Sequence, residues 1–213
     1  MESGAYTSGQ GEYPLTFSVD TPDRDLDRVT TGFRIIVAIP ILILLAAVGG
    51  GEAGGNGGAW VAAGSGGVLF FPVFLMIVFR QKYPRWWYDW NLELGRFGNR
   101  VVAYWLLMDD RYPSTDDHQA VHLEYPEVTG PELNRWLPLV KWFLAIPHYF
   151  VLFFLWIALF FVGIYVWFAI LFTGRYPRGA FDFIEGVLRW GNRVAGYAFA
   201  MVTDTYPPFR LAA

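Results

Sequence analysis

Cysteine is absent from the 213-residue chain. That excludes disulfides, thiolate nucleophiles and cysteine-ligated zinc or iron–sulfur centres. Charge is scarce: 16 % of the residues are Asp, Glu, Lys or Arg, against about 25 % in an ordinary soluble domain. No Asp or Glu falls inside the long apolar runs, which removes the usual carboxylate of a proton or sodium pathway. No phosphate-binding loop, nucleophile elbow or HExxH stretch is present, and a net charge of −3 gives no basis for nucleic-acid binding. No cofactor is expected. The opening MESGAYTSGQ lacks the basic region of a cleaved signal peptide. Glu2 stands where N-myristoylation needs glycine, so membrane targeting is expected to come from internal segments.

What the chain has instead is apolar mass: 54 % hydrophobic and 19 % aromatic residues. Phe33–Val48 and Gly67–Phe79 are apolar runs separated by a loop, Gly49–Gly66, that is mostly glycine and alanine. Trp136–Thr173 is apolar almost throughout, interrupted by Lys141 and His148. A membrane span takes about 20 residues. The last run is therefore read as a helical hairpin turning near Trp156–Phe160, and the first two as a second, shorter hairpin. All 16 Lys and Arg lie outside both proposed turns. For a multi-pass protein of the cell (inner) membrane, the positive-inside rule then puts both termini and the central region in the cytoplasm. Pro40, Pro72 and Pro147 fall inside these runs and read as kinks that neighbouring helices tolerate.

The chain also repeats itself. YPRWWYDWNLELGRFGNRVVAY (Tyr83–Tyr104) aligns without gaps to YPRGAFDFIEGVLRWGNRVAGY (Tyr176–Tyr197), with ten of 22 positions identical. RIIVAIP (Arg34–Pro40) matches KWFLAIP (Lys141–Pro147), and DRYP (Asp110–Pro113) matches DTYP (Asp204–Pro207). FSVDTP (Phe17–Pro22) and VHLEYP (Val121–Pro126) both alternate apolar with polar residues, the pattern of a strand. The expected fold is an all-α integral membrane protein of two tandem repeats, each a transmembrane hairpin and a cytoplasmic interfacial amphipathic helix, with short strand-like segments before each hairpin. Residues 1–12 form a tail, 13–113 the first membrane repeat and 114–213 the second. Repeats in one orientation imply a pseudo-two-fold axis along the membrane normal.

The order AIP, apolar hairpin, YPR, aspartate, RWGNRV and terminal YPPF resembles the bacterial domain-of-unknown-function family 4389. The resemblance covers about Tyr13–Leu211, and LRWGNRV (Leu188–Val194) and TDTYPPFRL (Thr203–Leu211) are its most specific parts. It implies a membrane fold and carries no catalytic residue.

At 100° per residue, Asp89, Glu93, Arg96 and Arg100 fall in one narrow stripe of the first amphipathic segment. Asp182, Arg189 and Arg193 occupy the same stripe of the second. A charge at the bilayer centre costs about 2.5–3.5 kcal/mol, so these helices are expected to lie at the interface. The stripes permit ionic ladders, Asp89–Arg96–Arg100 with Glu93 helping and Asp182–Arg189–Arg193, buried between the two copies. Gly98 and Gly191 would allow close approach, and Asn99 and Asn192 would bond across the contact. A solvated face is the plainer reading, and contact of the four arginines with anionic lipid headgroups is compatible with both.

His118 and His122, in DDHQAVH, sit four apart beside acids. They precede strand-like residues, where that spacing is poor for metal, so no metal site is expected. His148 reads as a polar group bonded to a neighbouring helix. The six Tyr-Pro dipeptides read as joints at headgroup depth. The functional expectation is a non-enzymatic accessory, scaffolding or assembly subunit. Its expected partners are membrane lipids, anionic ones included, and membrane-protein subunits or copies of itself. The alternative is a small channel or lipid-handling transporter with a site between the repeats.

Overall fold

The computed structural model describes residues 13–22, 26–48, 70–115 and 117–212. The N-terminal tail and the glycine-rich loop, with the turn read into it, lie outside the described residues. Among these residues, two strands and five helices follow in the order β1 (Thr16–Val19), α1 (Arg28–Val48), α2 (Phe70–Arg80), α3 (Arg85–Trp105), β2 (Val121–Glu124), α4 (Pro138–Thr173) and α5 (Arg178–Ala198). The described chain is therefore mostly helical, with one small sheet.

The longest helix overturns one expectation. The apolar run after Trp136 does not fold back at Trp156–Phe160; α4 continues through it for 36 residues. The pentapeptide WIALF offers no glycine, proline or asparagine to turn on. Breaking the helix there would strand backbone N–H and C=O groups among apolar side chains. Pro147 removes one backbone donor without ending the helix. The end comes at Gly174, whose left-handed φ of 74° returns its N–H to the Ile170 carbonyl. Among the described residues, α4 is the one helix long and apolar enough to cross a membrane.

α5 then runs back along α4. Trp190 Nε1 donates to His148 Nδ1 at 3.0 Å and Trp142 Nε1 to the Ala198 carbonyl at 2.9 Å, so the C-terminal half of α5 lies beside the N-terminal half of α4. α4 buries only a stripe, including Lys141, Ala145, His148, Leu152, Leu159, Val166 and Ile170. Its steps of three, four and seven residues are those of a helix–helix seam.

β1 and β2 pair antiparallel, with Phe17 opposite Leu123 and Val19 opposite Val121. A two-stranded ribbon is marginal by itself and leaves both edges open. Here helix side chains close them. Arg189 Nε donates to the Phe17 carbonyl at 2.9 Å, and Glu185 accepts from Val19 N–H at 3.2 Å. On the other edge Arg96 Nε donates to the Leu123 carbonyl at 3.0 Å.

Three layers result. Glu185 and Arg189 face β1, and Gly196 faces Leu15 just before it, from one side of α5, while Trp190, Val194 and Ala198 occupy the opposite side, toward α4. α3 is sandwiched likewise: Phe97, Val101 and Tyr104 pack on Ala38 and Ile41 of α1, and Gly95 and Arg96 meet β2. The outer layer is α1, α2 and α4, the middle layer α3 and α5, and the third the ribbon. Each strand packs on the amphipathic helix that follows the other strand: β1 on α5, and β2 on α3.

Candidate functional site

The structure brings the two amphipathic helices together at their asparagines. Asn99 Nδ2 donates to Asn192 Oδ1 at 2.8 Å, and Asn192 Nδ2 to Asn99 Oδ1 at 2.8 Å. Each amide also donates to the carbonyl four residues earlier, Gly95 and Leu188 respectively. Both side chains are thereby locked in the orientation that the reciprocal pair needs.

The arginines sit beside this pair, but the aspartate ladders do not form. Asp89 pairs with Arg85 at 3.2 Å on an exposed surface. Asp182 is exposed and makes no ion pair among the described residues. The carboxylates that do reach the stripe are nearer in sequence: Glu93 to Arg96 at 2.7 Å and Glu185 to Arg189 at 2.6 Å. Backbone carbonyls take further guanidinium donors. Arg189 Nη1 reaches Leu211 at 3.0 Å, Arg193 Nη1 reaches Ala212 at 3.0 Å, and Arg100 Nη1 reaches Ser114 at 2.9 Å. A guanidinium is suited to this, because it carries five donors in a fixed fork. Burial lowers the proton affinity of Arg193, with Arg210 and Arg189 adding to the effect and Tyr13 opposing it; its guanidinium lies over the Tyr13 ring at 5.5 Å.

The expected close approach at Gly191 is also absent: a Cβ there would meet nothing within 4 Å. The crowded glycine is Gly196, where a Cβ would come 2.5 Å from Leu15 Cδ1.

Two buried ion pairs went unseen in the sequence. Arg34 pairs with Asp110, and Lys141 Nζ lies 2.8 Å from Asp204 Oδ1. Each cation also donates to backbone carbonyls, Arg34 to Tyr104 and Asp109 at 3.0 Å, Lys141 to Thr203 at 2.8 Å. Each lies over a tyrosine ring, Arg34 over Tyr104 at 4.5 Å and Lys141 over Tyr197 at 5.0 Å. The cations are the aligned first residues of RIIVAIP and KWFLAIP, and the acids belong to the aligned DRYP and DTYP. A cation held at the same place in two apolar runs, with an acid held after both amphipathic helices, was the available signal.

Tyrosines before each amphipathic helix tie it to the end of the other. Tyr83 donates to the Ala200 carbonyl at 2.6 Å and Tyr176 to the Leu106 carbonyl at 3.0 Å. Burial raises both hydroxyls above the usual tyrosine range, Arg34 partly opposing this at Tyr176, so both remain donors. The receiving turns carry left-handed non-glycine residues, Leu107 at φ 65° and Met201 at φ 55°.

His148 is bonded to a neighbouring helix through Trp190. An indole N–H can only donate, so Nδ1 accepts and the imidazole proton sits on Nε2. The ring stacks on Phe209 at 4.0 Å, with Tyr206 at 4.9 Å, and Nε2 is buried without a partner. His122 instead meets Asp20 at 3.1 Å on the exposed ribbon face. Among the described residues no three His, Asp or Glu side chains gather in a metal-binding arrangement. A cavity of about 410 Å³ opens beside Asp20, Leu26, Met108, Asp109 and Arg111. Asp109 there is engaged with Arg111 at 3.0 Å.

No curated protein and no solved structure matches the chain. The family model described as "Domain of unknown function (DUF4389)" matches residues 136–210, a narrower span than the resemblance along the sequence. The match takes in α4, α5, the Lys141–Asp204 pair and the aromatic cluster around His148. Over residues 136–210 the chain is similar to the DUF4389 family.

Proposed function

We propose that the protein is a non-enzymatic membrane-embedded scaffolding or assembly subunit that works by packing against lipid and against partner membrane proteins or copies of itself. One observation carries this reading. The buried cations Arg34 and Lys141 and the asparagines Asn99 and Asn192 are engaged within the fold, while α4 presents Phe143, Phe150, Phe153, Phe160, Phe161 and Phe172 outward. Large exposed apolar surface of this kind marks an interaction site. The matched Arg34–Asp110 and Lys141–Asp204 pairs support the reading of the chain as two related units joined at Asn99 and Asn192. A transporter or channel would need a polar-lined space between those units. There the two helices instead close on each other through the asparagines, which favours the scaffold.

The test is purification of the tagged chain in mild detergent at native abundance, followed by identification of what accompanies it. A stoichiometric membrane-protein partner, or a defined homo-oligomer without a conducting pathway, is the expected result. Ion conductance or lipid transfer by the purified protein in vesicles would replace this proposal with the transporter reading.

A further inference from the structure

We propose that α4 lies along the membrane rather than across it, and that the outer layer of α1, α2 and α4 seats in one leaflet of a phospholipid bilayer. This rests on the membrane reading above and adds its geometry.

Three observations carry it. The first is length. α4 has 36 residues, about 54 Å at about 1.5 Å per residue. Large apolar residues are exposed along it from Leu139 to Phe172. To keep that length inside about 30 Å of hydrocarbon, the helix would lean about 56° from the membrane normal, beyond the about 0–40° of crossing helices. A helix lying in the plane meets no such limit.

The second is what stands level with its middle. Trp190 bonds His148, so Glu185 and Arg189 of the antiparallel α5 lie beside the central turns of α4. Those two side chains hold β1. The outward face of the ribbon carries Thr16, Ser18, His122 and Glu124, all exposed. With α4 upright, that polar face would sit at mid-depth in hydrocarbon, where ionisable groups are strongly disfavoured. With α4 flat, it faces water.

The third is direction and thickness. On the helical wheel Phe143, Phe150, Phe154, Phe161 and Phe172 lie opposite the stripe that α4 buries against α5. The apolar face therefore points away from the ribbon. One layer of helices is about 10–12 Å thick, which fits half of a core of about 30 Å.

The absence of native cysteine makes the test clean. Single cysteines at Pro131→Cys and Arg178→Cys flank α4, and Ser18→Cys marks the ribbon; all three positions are exposed. The full-length variants are expressed in bacteria and treated with a membrane-impermeant maleimide in spheroplasts and in inverted vesicles. All three should react in one preparation and be protected in the other. Reaction of Pro131→Cys and Arg178→Cys in opposite preparations would show α4 crossing and overturn the proposal while leaving the membrane reading intact. So would a Ser18→Cys that reacts only after detergent. Recovery of the chain in the soluble fraction, as a dimer joined through its apolar faces, would overturn both.

Discussion

Lys141 Nζ stands 2.8 Å from Asp204 Oδ1, with the lysine side chain 1 % exposed and the aspartate 25 % exposed. The lysine begins an apolar helix, and the aspartate follows an amphipathic one. The pair ties the outer layer to the segment after α5, as Arg34–Asp110 ties α1 to the segment after α3. Burying a charge without its partner is costly, whereas replacing a whole pair by apolar residues can be nearly neutral.

Lys141→Met is therefore expected to destabilise by about 2–4 kcal/mol. That is at or below the about 3–5 kcal/mol of a fully buried broken pair, because Asp204 keeps some access to solvent. The double variant Lys141→Met/Asp204→Leu should recover a large part of the loss. Denaturant titration in detergent, read by tryptophan fluorescence, measures both, and a double variant no better than the single one would show that the charge pairing is not what the lysine supplies.

The amide pair predicts coupling. Asn99→Ala and Asn192→Ala should each cost about 1–2 kcal/mol, and the double variant should cost less than their sum by about 1 kcal/mol, since either single change strands the other amide. Strict additivity in a double-mutant cycle would mean that the two helices do not meet there.

The glycines separate packing from conformation. Gly191→Ala adds a methyl where nothing lies within 4 Å, and removing glycine from a helix interior should stabilise by about 0.5–1 kcal/mol. Gly196→Ala would press on Leu15, itself buried, and is expected to destabilise by about 1–3 kcal/mol. Thermal unfolding of the two variants side by side checks the opposite signs.

The carboxylates of the two stripes should likewise divide. Asp89→Asn and Asp182→Asn are surface changes, expected within about 0.5 kcal/mol of the parent. Glu185→Gln weakens the pairing with Arg189 and the acceptance of Val19 N–H, and should cost about 1–2 kcal/mol. Equal losses at Asp182 and Glu185 would return the arginines to the ladder that the structure replaces.

Much of the fold was readable from local pattern. Alternation in FSV and VHL marked both strands, and the stripes of Arg96 and Arg189 marked both amphipathic helices. Asn99 and Asn192 point to a helix contact because the residue type bonds across one. The hairpin at Trp156–Phe160 misled because counting apolar residues measures how many spans fit, and says nothing of whether the backbone can turn there. The aspartates of the stripes misled because sharing a face is necessary for pairing and not sufficient; Glu185, one turn from Arg189, reached it, and Asp182 did not.

By itself the amino-acid sequence determined which surfaces are apolar, which helices are two-faced, and that the chain lacks thiol chemistry, because composition and periodicity act within a few turns. Only the tertiary structure decided the partners. Arg34 finds Asp110 across 76 positions, and Arg189 finds the Phe17 carbonyl across 172. Periodicity sets the direction in which a side chain points, whereas packing of distant segments sets what it meets.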